Sequence, residues 1–179
     1  VLEGYDGVVY DLDGTLVHLE VAWDDVYADV ASTYRDAGVD PGDRDLWALF
    51  GAAGENGLGE AVEAAMATHE HEGARVSRRL HLADALADER RLVGVCTLNC
   101  ERAARIALET HDLEDHVDAV VGRDTVTEHK PHPGPLRETV DLLGLDTADV
   151  VFVGDSERDE ETARAAGTAF AYVRDIELD

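Results

Sequence analysis

The sequence predicts an α/β fold: a doubly wound, mainly parallel sheet interrupted by an inserted helical cap. Three observations predict it. Short apolar runs closed by Gly or polar turns recur at residues 7–10, 92–96, 119–121, 150–153 and 169–173, the pattern of strands buried on both faces. Helical stretches at 101–110, 135–143 and 157–166 alternate with the later runs, and right-handed crossovers then place helices on both sides of one sheet. Residues 17–80 break the alternation, with helical patterns at 22–37, 45–49 and 59–71, a last turn near 75–80, and no strand signal. The expected organisation is therefore a sheet domain of residues 1–16 and 81–179, with residues 17–80 as a lid over the carboxyl ends of the strands.

Composition narrows the function. The chain is 45% hydrophobic and 31% charged, a globular profile, and 179 residues suffice for one core with a modest insertion. Its net charge is -25, from 40 acidic against 15 basic residues spread along the whole length, which repels nucleic acid and anionic membranes. No apolar stretch approaches the ~20 residues of a membrane span and no basic-then-apolar leader opens the chain, so a cytoplasmic location is expected. Fourteen of the basic residues are Arg and only Lys130 is Lys; an acid-rich, Lys-poor surface of this kind fits a salt-loaded, halophilic cytoplasm.

Several features read as structural. Cys96 and Cys100 are too few for a disulfide framework or a zinc site and are expected as buried thiols. Gly51, Gly54, Gly57 and Gly59 follow no strand and read as turns between cap helices, not as a phosphate loop. His69 and His71 diverge on a helix, so the stretch 68–73 reads as a solvated face. Arg75, Arg78 and Arg79 read as solvated helix residues in preference to ligands of a substrate carboxylate.

The chemistry is concentrated at strand ends. The first strand runs into Asp11 and Asp13, two carboxylates projecting from its tip with Leu12 turned to the core between them. The run 150–153 ends in Gly154 and Asp155, and Asp159 lies one helical turn on, so both acids can face one pocket. Neighbouring carboxylates repel unless a cation lies between them, and oxygen-only ligands favour a hard ion, for which Mg2+ is the best match. The second strand ends near Thr97 and Asn99, where a hydroxyl, an amide and the free N–H groups of a helix start would seat an anion. Lys130 lies in a loop stiffened by two prolines that follow it, at 131 and 133, and its being the only Lys points to a need for a compact point charge.

Taken in order, DLDGTL at 11–16, Thr97, Lys130 and GDSERD at 154–159 resemble the four motifs of the haloacid dehalogenase superfamily, over the sheet domain and the position of the cap. The resemblance implies Asp11 as nucleophile, Asp13 as acid and base, and Thr97 and Lys130 around the phosphoryl oxygens; Asn99 stays a substrate-binding candidate from its place at the strand end. It also implies Mg2+ held by Asp11, the backbone carbonyl of Asp13, and Asp155, with Asp159 either binding a metal water or orienting Lys130. Asp13 argues against a dehalogenase, and the DGTL ending with a helical cap is most similar to the phosphoglycolate phosphatase group, although Leu98 separates Thr97 from Asn99 where many relatives have Asn directly after. The expected activity is hydrolysis of a small phosphorylated metabolite through an aspartyl phosphate. A phosphomutase of the same superfamily is the alternative. A receiver-type signalling module fits poorly, because it has no insertion after the first strand and no acid pair after the strand that follows its Lys.

Overall fold

The structure, a computed structural model, describes residues 4–176. In chain order its elements are β1 (Gly7–Tyr10), β2 (Val17–His18), α1 (Trp23–Asp36), α2 (Leu46–Ala53), α3 (Gly59–Arg75), β3 (Arg78–Arg79), α4 (His81–Ala85), β4 (Leu92–Cys96), α5 (Glu101–Thr110), β5 (Ala119–Val121), α6 (Gly134–Leu143), β6 (Val150–Gly154), α7 (Glu157–Ala166) and β7 (Ala169–Tyr172), with short 3-10 turns between some of them. Strands β5, β4, β1, β6 and β7 pair in that order, all parallel. The winding reverses around β1, and the crevice at the carboxyl ends beside it is where such sheets bind ligands.

The alternation of side chains along each strand builds two cores. Val8 and Tyr10 of β1 join Val93, Val95, Val151 and Val153 against α5, whose Ala103, Ala104, Ala107 and Leu108 are buried there. Val9 and Phe152 point the other way and meet Leu136 and Val140 of α6 and Ala163 of α7. β-Branched residues dominate these strands because both faces are covered and a pleated surface packs them well. Helix α7 opens with a reciprocal cap, Ser156 and Asp159 each bonding the other's backbone N–H.

Helices α1, α2 and α3 share a separate core of Val26, Val30, Tyr34, Leu49, Val62 and Met66, and the Tyr34 hydroxyl donates to the Leu49 carbonyl at 2.6 Å. The insertion contains a short sheet after all: Val17 and His18 pair antiparallel with Arg79 and Arg78. Two residues per strand give no alternation to read, so the expected helical turn at 75–80 is replaced by a strand, and α3 ends at Arg75. Arg78 and Arg79 are exposed but lie on that strand, paired with Glu20 at 2.8 Å and Asp84 at 2.7 Å. The glycines differ too: Gly51 lies inside α2, whereas Gly57, at φ 70°, makes a turn. Among the described residues no helix is long and apolar enough to cross a membrane.

The stretch 68–73 is not a solvated face. Glu70 is fully buried, and its partner is Arg123, from the loop after β5. The guanidinium gives Glu70 two bonds of 2.6 and 3.0 Å, Glu63 two of 2.6 and 2.9 Å, and the Leu98 carbonyl one of 2.8 Å. Glu70 in turn accepts from the Cys100 N–H at 3.0 Å. Helix α3 is thus fastened to the loops after β4 and β5 by one planar cation whose donors are all used. Removing one member of a buried ionic cluster strands the other charge, which typically costs about 3–5 kcal/mol. Arg123→Met is expected to lower unfolding free energy by about that amount in urea titrations. Glu63→Gln should lower it by much less, because Glu63 keeps partial contact with water. Equal losses for the two variants would refute Glu70 as the stranded charge.

Candidate active site

Parallel pairing brings the strand tips together. Asp11 follows β1, its N–H donating to the Val153 carbonyl of β6 at 2.8 Å, while Thr97 follows β4 and donates its N–H to Val121 of β5 at 3.0 Å. Leu12 is fully buried, so Asp11 and Asp13 emerge on the same side of the chain. Gly14, at φ 85°, turns the backbone beside Asp155, and a Cβ there would run into the Asp155 carboxylate. Gly154 does the equivalent at β6, where a Cβ would collide with Asp159 as α7 folds back over the strand end.

Lys130 joins these tips. Its ammonium donates to Asp11 Oδ1 at 2.8 Å, Asp159 Oδ1 at 2.6 Å and the Cys96 carbonyl at 3.3 Å, and all three side chains of this ion-paired group are buried. Burial works against the charge on Lys130, but Asp11 and Asp159 outweigh it and hold the ammonium above its ordinary pKa. Asp11 is pushed up to about 7, mainly by desolvation, with Lys130 pulling down and Asp159 pushing up. Asp13 is raised by desolvation, offset in part by the Leu19 N–H that its Oδ1 accepts at 2.8 Å. Asp155 is raised by desolvation and then by Asp159. All three of these shifts run upward, first because burial strips water from each carboxylate, with a neighbouring acid adding to it.

Asp11, Asp155 and Asp159 have carboxylate oxygens within 4.8 Å of one another. At that separation each pair of charges repels by roughly 3 kcal/mol for an effective dielectric of about 20. A hard cation bound by oxygen removes that repulsion, so the donor set fits a divalent ion. The carboxylate of Asp13 is outside this group and turned to Leu19 and His18. Asp159 bonds Lys130 directly and spends its other oxygen on Ser156, at 3.2 Å to the N–H and 2.5 Å to the hydroxyl.

Thr97 and Asn99 line the same cavity of about 170 Å3, with Lys130 and the acids on its floor. The Thr97 hydroxyl accepts from the Asn99 N–H and donates to Asn99 Oδ1, both at 3.1 Å, a turn that keeps the two polar groups together despite the intervening Leu98. The expected free N–H groups of the helix start are absent from this seat: Cys100 donates to Glu70 and Glu101 to Asp124 at 2.7 Å.

A family model described as haloacid dehalogenase-like hydrolase matches residues 8–173. The chain belongs to that family. It is 35% identical to a phosphoglycolate phosphatase of Rhodospirillum rubrum over 89% of this chain and 76% of that protein, and 35% identical to one of Cereibacter sphaeroides over 92% and 83%. A solved HAD-superfamily hydrolase of subfamily IA from Geobacter sulfurreducens superposes with a TM-score of 0.64 at 27% identity, covering 93% of this chain and 88% of that one.

For a haloacid dehalogenase-like hydrolase the surprises lie around the rim. Trp23 of α1, Trp47 of α2 and Arg158 of α7 complete the cavity wall, and the Arg158 guanidinium lies 5.5 Å from the Trp47 ring centroid. The two tryptophans sit in helices whose apolar residues all read as packing, so nothing in the sequence marked them. A divalent ion needs Asp11 ionised, so its affinity should fall as pH drops below about 7, by up to about tenfold per unit, and binding near pH 6.5 should release protons. Calorimetry of cation binding in two buffers of different ionisation enthalpy measures that release. An affinity constant between pH 5.5 and 7.5 would show that Asp11 is ionised before the cation arrives.

Proposed function

We propose that the chain is a Mg2+-dependent phosphatase that hydrolyses a small phosphate monoester through a phosphoryl group carried on Asp11, as a phosphoglycolate phosphatase-like enzyme. The observation that carries this reading is the buried Lys130 ammonium bonded to both Asp11 and Asp159 at the floor of a small cavity. The phosphatase reading is preferred to a phosphomutase because the relatives described above bear the phosphatase name.

The substrate phosphate enters with Thr97, Asn99 and Lys130 around its oxygens. Asp11 attacks phosphorus and the ester oxygen leaves, taking a proton from Asp13, whose raised pKa suits it to hold one. Asp13 then removes a proton from water, which attacks the aspartyl phosphate, frees inorganic phosphate and restores Asp11. Lys130 fixes one oxygen of Asp11 and offsets negative charge as it builds on the transferring group. Mg2+, held by Asp11, Asp155 and the Asp13 carbonyl, supplies charge neutralisation between carboxylate and phosphate when bound. Residues 17–80 act as the cap, contributing Trp23 and Trp47 to the wall and limiting water. The excess of 25 negative charges supports a salt-rich cytoplasm as the working environment.

Asp11→Asn is expected to abolish phosphate release without changing the fold, since an amide keeps the shape but does not attack phosphorus. Lys130→Arg is expected to lower kcat by about 10²–10³, because the wider planar cation does not fit among three oxygens arranged for an ammonium. Arg102→Lys, at an exposed pair of 3.4 Å, is the silent control; Arg79 is unsuitable, being bonded to Asp84, Ala83 and His111. Steady-state assays with Mg2+ at low and high salt measure all three. A Lys130→Arg enzyme as fast as the control would remove Lys130 from the mechanism.

A further inference from the structure

Two cations line the cavity, and they are in different states. Lys130 is ion-paired to Asp11 and Asp159. Arg158 makes no ion pair among the described residues, although Glu157, Asp159, Glu160 and Glu161 surround it in sequence. It is the second residue of α7, where the helix dipole disfavours a positive charge and where the rest of the first turn is acidic, as that dipole prefers. Helix stability therefore gives no reason for a cation there. Among the described residues its guanidinium meets only the face of Trp47, and a guanidinium laid on an indole keeps its N–H edge free for a planar anion.

The geometry points to Arg158, braced by Trp47, as the specificity-determining residue that binds a carboxylate on the leaving group of the substrate. This rests on the phosphatase reading and deepens it by assigning the residue that would select an acidic leaving group over a neutral one. The phosphate end is accounted for by Thr97, Asn99 and Lys130, and every other charged group on the lining is a carboxylate or lies next to one. Apart from Lys130, which the two acids already neutralise, Arg158 is the one charged group on that lining that attracts a second anion on the substrate. A carboxylate matches the guanidinium fork with two parallel hydrogen bonds, and the volume of about 170 Å3 favours a leaving group of a few atoms. Trp47 holds the fork in place, so less rotamer freedom is lost when the anion binds.

The two tryptophans of the chain both line this cavity, so intrinsic fluorescence reports its occupancy without turnover. Phosphoglycolate and ethyl phosphate, the same two-carbon ester with and without the carboxylate, are titrated with Mg2+ into the inert Asp11→Asn protein. Phosphoglycolate should bind the tighter. Adding Arg158→Gln should weaken phosphoglycolate by about tenfold or more and leave ethyl phosphate within about twofold, as for loss of one charge-assisted pair. Arg158→Lys should fall between, keeping charge without the fork. The inference is overturned if Arg158→Gln weakens both ligands alike, or if phosphoglycolate binds no tighter than ethyl phosphate before the change. Failure of the phosphatase reading is a separate result: wild-type protein would release no phosphate from any monoester, while the binding comparison would still give its answer.

Discussion

The Lys130 ammonium between Asp11 and Asp159 is the contact on which the site depends. It links residues 29 and 119 positions apart, from the end of β1, the loop before α6 and the first turn of α7. None of these groups is stable alone in the interior: a buried ammonium without carboxylates would lose its proton, and two buried carboxylates without the ammonium would gain one. One positive charge against two negative ones still leaves an excess, and Asp155 at the rim adds a third acid. The polypeptide is folded around an excess of negative charge of the kind that a divalent cation would offset. The upward displacement of Asp11, Asp13 and Asp155 comes first from burial, and the neighbouring acids add to it.

A second buried cation does comparable work at the junction with the helical insertion. Arg123 connects α3 to the turn at 98–100, and its own N–H donates to the Asn99 carbonyl at 2.9 Å. The seat formed by Thr97 and Asn99 is therefore tied to the same residue that anchors α3, so the position of the helices above the cavity and the shape of its floor are set together. Phe50 of α2 lies under that guanidinium at 5.4 Å, which extends the tie to a second helix of the insertion.

Much of this was legible in the sequence, for a physical reason. Parallel strands buried on both sides leave unbroken apolar runs, and capping or turn formation alone does not call for acids at the ends of two such runs, so Asp11, Asp13, Asp155 and Asp159 stood out together. What escaped was long-range or short. Glu70 lies 53 residues from Arg123, and a Glu between two His in a helix rich in acids looks like a surface residue until its partner is known. β2 and β3 have two residues each, below the length at which alternation is detectable. The capping of Cys100 and Glu101 by Glu70 and Asp124 also depends on tertiary contacts, which take those two N–H groups from the expected anion seat and leave it to Thr97 and Asn99.

The choice of cation at the two buried positions follows from the shape of what each must satisfy. Around Lys130 the acceptors are three single oxygens at 2.6, 2.8 and 3.3 Å from one nitrogen, a cluster about a point. Around Arg123 they are two whole carboxylates and a carbonyl, met by five bonds from three nitrogens in a plane. An ammonium has three donors on one atom and would leave part of the Glu63 and Glu70 pair unbonded, whereas a guanidinium would separate Asp11 from Asp159 by its own width. A chain that uses Arg at its fourteen other basic positions thus keeps Arg where a buried plane of acceptors must be filled and departs from it only where the acceptors converge. The composition, which on its own was compatible with accident, acquires a geometric cause at Lys130 because the contrasting case is present in the same molecule.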